Sequence, residues 1–140
     1  VSNTDGSITS NVRASQANGF SIVSYTSNDT AGATVGHGLN APMEFAIFKN
    51  RDSSVNWVVY HKSLNITSGQ AINLNSTGAA YTSNAQFNST AATNSVFTIG
   101  SGGNTGGAGG AKGGSNDQVF FEISAFLAVI IFILSVASLV

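Results

Sequence analysis

The sequence predicts an all-β body over residues 1–99, an antiparallel sandwich, followed by a glycine-rich linker over 100–116 and a hydrophobic helix over 119–140. Three observations predict it. In the first 99 residues, apolar side chains recur at period two in runs of four to eight, bounded by Gly, Asn, Asp and Ser. Nine glycines crowd the stretch from Gly100 to Asn116. From Val119 to Val140 the chain is nearly continuous Phe, Ile, Leu, Val and Ala.

Taken in order, the body offers seven strand candidates. Ser7–Val12 comes first, then Gly19–Thr26, which puts Phe20 and Ile22 on one face and Val23 and Tyr25 on the other. Thr34–Leu39 follows, then Glu44–Lys49, just after the only proline, Pro42, with Phe45 and Ile47 on one face. Val55–Lys62 places Val55, Trp57, Val59 and His61 on one face and Asn56, Val58, Tyr60 and Lys62 on the other. Ala71–Leu74 and Ser95–Ile99 complete the set. β-branched and aromatic residues dominate these runs, and none carries a 3.6-residue period. Strands at this spacing, with turn residues between them, pack as an antiparallel sandwich or barrel.

A run of glycines has no side chains to bury and cannot recover the entropy of ordering it, so Gly100–Asn116 is expected to make no fixed contacts with the body. The 22 residues from Val119 to Val140, as a helix, would be about 33 Å long, enough for a hydrocarbon core of about 30 Å. Glu122 is the one charged side chain there, near one end. The expectation is a continuous helix that anchors the chain in a membrane or forms the core of an oligomer. In water the same residues favour strand pairing with any open sheet edge, so an extended Val119–Val140 bonded into the body's sheet would overturn both the helix and the anchor.

Composition excludes whole classes of function. Five Lys plus Arg against six Asp plus Glu give a formal net charge of -1, which lacks the clustered cations a nucleic-acid binder needs. With no cysteine there is no disulfide scaffold, thiolate zinc site, iron–sulfur cluster or cysteine nucleophile.

Catalytic parts are thin. His37, between Gly36 and Gly38, has the setting of a general base or metal ligand in a loop, although a histidine of this kind more often packs or hydrogen-bonds at a strand end. His61 shares a strand face with Trp57 and Val59, which favours a packed imidazole. Neither has an acidic or histidine partner at ligand spacing. No nucleophile elbow, phosphate loop or zinc-protease helix is present. A glycoside-active enzyme would have to bring two carboxylates together, with Glu44 and Asp52 as the pair. No catalytic residue, metal or cofactor is expected.

Sugar binding needs an aromatic face for the apolar side of the ring and planar polar groups for its hydroxyls. Trp57, Tyr60, Tyr25, Tyr81 and many asparagines supply both. With Trp57 and Val59 taken as core, Tyr60, Asn56 and Lys62 form the candidate outer patch. Calcium-assisted binding would use loop oxygens of Asn28, Asp29, Asn50 and Asp52, but such Asn-Asp pairs are more often turn formers.

The stretch GFSIVSYTSNDTAGATVGHGLNAPMEFAIFKNRDSSVNWVVYHK, from Gly19 to Lys62, resembles a β-domain repeated in structural and tail-fibre proteins of marine tailed phages. The same likeness extends to Asn88–Gly100 (NSTAATNSVFTIG) and to Ser7–Ala14 (SITSNVRA), so it spans residues 1–100. It implies a sandwich of jelly-roll, concanavalin-like type on a virion or extracellular surface. The resemblance supplies a setting more than an activity; joined to the absence of catalytic residues and a polar, low-charge surface, it leads to the expectation of a non-enzymatic domain for structural attachment or glycan contact, in a homo-oligomer. The likeness departs at Asn40–Glu44, one residue short of the family's turn, with Glu44 where a lysine is common. The family also continues into further strands, with a run resembling YVAYCF, where this chain enters glycines and the apolar stretch. Losing those strands would leave a sheet edge open. Expected partners are therefore a surface glycan, a membrane or oligomer core through 119–140, and further copies of the chain.

Overall fold

Strands form where the alternation lies, and their pairing decides which face turns inward. The computed structural model describes residues 1–105 and, for the backbone, 117–123. Its strands are β1 (Ser2–Asn3), β2 (Ser10–Ser15), β3 (Phe20–Thr26), β4 (Thr34–Gly36), β5 (Phe45–Asn50), β6 (Val58–His61), β7 (Gln70–Asn73), β8 (Tyr81–Thr82), β9 (Val96–Thr98) and β10 (Asp117–Ile123). Helix among the described residues is limited to two three-residue 3-10 turns, Gln16–Asn18 and Ile66–Ser68. The described residues are all-β, as expected.

Eight strands make one sheet in the order β1-β2-β3-β10-β5-β6-β7-β8, and β4 pairs with β9 in a second, two-stranded sheet. Every ladder is antiparallel. The small sheet is stitched to the large one through the Ile8–Val35 bridge and the Ile8 amide, which donates to the Thr34 carbonyl at 3.0 Å.

The core lies between these layers. From the large sheet come Val12, Val23, Tyr25, Ala46, Phe48, Val58, Tyr60 and Ala71; Val35, Phe97 and Ile99 face them from the second layer, with Met43, Ile66 and Phe87 from connecting segments. Phe48 is its hub, with ring centroids 5.1 Å from Phe97, edge to face, and 5.3 Å from Phe87, tilted. Two buried hydroxyls tie the layers: Ser10 Oγ donates to the Gly36 carbonyl at 2.9 Å and Ser21 Oγ to the His37 carbonyl at 2.7 Å. Buried backbone carbonyls need such donors, so serine is favoured over a larger apolar residue at both positions.

Two expectations are corrected here. Val119–Ile123, read as the start of a helix, belongs to β10, which pairs with β3 over seven residues and with β5 over five. Between two strands whose inner edges would otherwise be bare, an extended segment satisfies its own backbone groups and those of both neighbours. A helix there would satisfy only its own. The edge expected to be left open is therefore filled, and the anchor cannot begin at Val119. No helix among the described residues is long and apolar enough to cross a membrane. The rest of the expected helix, 124–140, lies outside the described residues.

The linker is corrected over its first six residues. The Gly100 amide donates to the Gln86 carbonyl at 2.8 Å, and the Gly102 amide to the Ala85 carbonyl at 2.5 Å. Tyr25 Oη donates to the Thr105 carbonyl at 2.8 Å, and Asn50 Nδ2 to the Gly103 carbonyl at 3.1 Å. Glycine is what permits this, because a methyl group at Gly100 or Gly102 would run into the backbone of Ala85. The remainder of the expected linker, 106–116, lies outside the described residues.

Candidate functional site

The outer patch expected at Tyr60, Asn56 and Lys62 is not assembled. Tyr60 is 4% exposed and packs edge-on against Phe87, centroids 5.3 Å apart, with its hydroxyl accepting from the Ala92 amide at 3.3 Å. Its strand face points inward because its neighbours on that face, Ala46 across the ladder and Val58 two residues back, are core residues. Asn56 and Lys62 are both exposed, but they flank β6 on opposite sides, six residues apart, which an extended chain spreads over about 20 Å. Lys62 is engaged with Glu44 at 2.7 Å.

The exposed aromatic of this region is instead Trp57, 40% open to solvent. Trp57 lies just before β6, on the face opposite Tyr60, and its backbone is clamped from both sides. Its carbonyl accepts from the Leu74 amide at 2.9 Å, and its amide donates to Asn75 Oδ1 at 3.1 Å. Asn75 Nδ2 in turn donates to Asn56 Oδ1 at 3.2 Å, so the two side-chain amides form a linked pair at the base of the indole. Asn56 Nδ2 keeps both donors for other partners, and Asn75 Nδ2 keeps one.

Lys49, from β5, completes the corner. Its Nζ stands 6.0 Å from the centroid of the Trp57 ring and donates to the carbonyls of Val55 at 2.8 Å and Ser53 at 3.3 Å. The turn that supplies those carbonyls is built by Asn50, 1% exposed, whose Oδ1 accepts from the amides of Asp52 at 2.9 Å and Ser53 at 3.2 Å. Asn50 thus serves as a turn former. Asn28 does likewise, its Oδ1 accepting from the Thr30 amide at 3.1 Å, while Asp29 takes a left-handed φ of 57°. Among the described residues, no group of three or more His, Asp or Glu side chains converges in a way that could hold a metal.

The histidines are occupied structurally. His37 is fully buried, and its Nε2 lies 3.2 Å from the Thr93 carbonyl, which can only accept, so Nε2 carries the proton. Nδ1 faces the Leu39 amide at 3.4 Å. Burial pushes the imidazole below its ordinary range, an effect the Thr93 carbonyl and Asp5 oppose. His61 meets Phe45 edge-on at 6.4 Å, and its Nδ1 accepts from the Ser63 amide at 3.1 Å. Glu44 and Asp52 flank β5 on opposite sides, so the length of that strand holds the two carboxylates apart.

Sequence reasoning therefore places Asn56 on the outside as observed, names Trp57 among the aromatics but turns it inward, and does not single out Lys49 or Asn75. Alternation places Trp57 opposite Tyr60 correctly; it does not say which of the two faces is the core. The available signal was local: Trp57 is the one aromatic of its run flanked by asparagine, serine and charged residues on the amino-terminal side.

Residues 1–120 match the model of a family described as Domain of unknown function (DUF7483), and the chain belongs to that family. The match runs into β10, so it reaches beyond the body to the strand that fills the gap between β3 and β5. No curated protein and no solved structure matches the chain.

Proposed function

We propose that this domain is a non-enzymatic β-domain of a virion or extracellular surface, whose work is attachment through glycan contact at the Trp57 corner. The observation that carries the reading is a 40% exposed tryptophan with a hydrogen-bonded pair of amides fixed at its base. Full burial of the indole would gain about 2 kcal/mol, yet the ring stands partly open beside the amide pair. Its ring offers an apolar platform to the C–H face of a pyranose, and Asn56 and Asn75 offer donors and acceptors to the hydroxyls. The resemblance of residues 1–100 to phage tail-fibre domains supports the setting, and with it a jelly-roll, concanavalin-like arrangement of the sandwich. A corner of this size holds a single sugar weakly. Assembly of several copies would raise the overall affinity by avidity.

The test is a glycan array probed with the whole chain and with Trp57→Ala. Binding to a defined set of glycans, weakened tenfold or more by the substitution at unchanged fold, is the expected result; about 1.4 kcal/mol of lost stacking corresponds to tenfold. Binding that is indifferent to Trp57 would remove this corner as the contact, and no binding to any glycan would remove the glycan reading.

A further inference from the structure

We infer that the slot between β3 and β5 is a strand-accepting site, and that a second copy of this chain fills it with its own Asp117–Ile123 when copies are crowded, joining the two by strand exchange. The inference stands apart from the glycan reading and uses none of its contacts. Three observations carry it. First, β10 is the last described strand in sequence yet lies inside the sheet, paired over seven residues with β3 and over five with β5. Without it, two edges running in the same direction are left bare, the template on which an extended chain docks. Second, the slot has a register. Phe120 is the partner of Val23 and Phe48, two fully buried core residues, and Gln118 is the partner of Tyr25 and Asn50. A slip of one residue would exchange the two faces of the strand, so the slot selects this sequence over an arbitrary one. Third, the connection is longer than closure within one chain demands. Tyr25 Oη holds the Thr105 carbonyl at 2.8 Å, and Tyr25 is itself the register partner of Gln118, so Thr105 and the start of β10 meet at one end of the slot. Residues 106–116 nevertheless intervene, and a chain of that length reaches at most about 40 Å, beyond the roughly 30 Å breadth of a small domain.

A partner's β10 makes the same two ladders as the chain's own, so exchange sacrifices no backbone hydrogen bond and no register pair. Concentration then sets the outcome. The chain's own strand competes at an effective concentration of about 1 mM, and a neighbour's strand displaces it when copies are crowded to a similar level. Copies assembled side by side on a surface meet that condition.

The chain has no cysteine, so introduced thiols report without background. Ser24 on β3 and Val119 on β10 are register partners, and Ser24→Cys with Val119→Cys sets two thiols across that ladder. The two full-length single variants are mixed, unfolded in urea, refolded together at about 1 mM or about 10 µM protein, and oxidised. The expected result is a disulfide-linked dimer holding one of each variant. Its yield at the higher concentration should be at least tenfold that at the lower, and at least tenfold that of the off-register mixture of Ser24→Cys with Phe121→Cys. The double variant Ser24→Cys/Val119→Cys, refolded at the lower concentration, should close within one chain, which shows that the substituted strand still fills its slot. A double variant that closes, with no in-register dimer from the mixture at either concentration, overturns strand exchange. Equal yields of in-register and off-register dimer reduce the link to non-specific collision and also overturn it. A double variant that links neither within nor between chains denies the register of β10, and the slot with it.

Discussion

Tyr60 and Trp57 are three residues apart in sequence and meet opposite environments. Tyr60 belongs to a cluster with Phe48, Phe87 and Phe97, in which Tyr60 meets Phe87, Phe87 meets Phe48 and Phe48 meets Phe97, and the tyrosine hydroxyl accepts from a backbone amide. Trp57 has its backbone bonded on both sides and its ring half open, with a lysine at its face and two amides at its base. The inner region is held together by packing, so its residues are interchangeable only at a cost in stability. The outer region is held by hydrogen bonds among backbone and short polar side chains, so its ring is free to act on something else. One short run of chain thus serves as structure at Tyr60, within β6, and presents a candidate contact at Trp57, just before it.

That contrast predicts a graded set of effects. Phe48→Ala, at the hub of the inner cluster, should destabilise the domain by about 3–5 kcal/mol in urea unfolding, through lost burial and the cavity left behind. A loss under about 1 kcal/mol would mean that the rings are not the core's main support. Gly100→Ala forces a methyl group against the Ala85 backbone and should cost about 1–3 kcal/mol. A neutral outcome would restore the flexible linker that these residues were expected to be. Tyr25→Phe leaves the buried Thr105 carbonyl without its 2.8 Å donor and should cost about 1–2 kcal/mol.

The next effect is read along the pH axis. His37 is buried neutral and its folded-state value lies below its unfolded value of about 6.5. Below that pH the unfolded chain takes up the proton more readily than the folded one. Stability is therefore fully present above pH of about 6.5 and declines as the pH falls through the folded-state value, and His37→Gln should flatten that limb of the unfolding profile. The smallest effect is expected at Trp57: Trp57→Ala should change stability by about 1 kcal/mol or less while it removes glycan binding. A large loss of stability there would erase the difference between the two regions.

Much of the body was legible from residues alone, and for a definite reason. Period-two alternation is a property of the extended backbone, so Phe20–Thr26 and Phe45–Asn50 fall within a residue of the strands expected there. The same alternation names the residues that share a face but is silent on which face is covered. That is why Tyr60 was placed outside and Trp57 inside. The long run Val55–Lys62 added to the error, since the β6 ladder begins only at Val58 and leaves Trp57 at its mouth.

By itself, then, the sequence determined the all-β class, the run of strands from β2 to β7, the absence of cysteine chemistry and the turn-forming role of residues such as Asn50. Each of these follows from local backbone preference or from side-chain inventory, which need no partner. Tertiary structure decided the rest. It turned Val23, Phe48 and Tyr60 inward and left Trp57 beside Lys49, because only a second layer distinguishes one sheet face from the other. It packed Gly100–Thr105 against the body through contacts to Tyr25, Asn50 and Gln86, which are far away in sequence. It also made Asp117–Ile123 a strand. An apolar segment of Val, Phe and Ile suits helix and strand alike. The gap between β3 and β5, with unpaired backbone on both sides, is what selected the extended form.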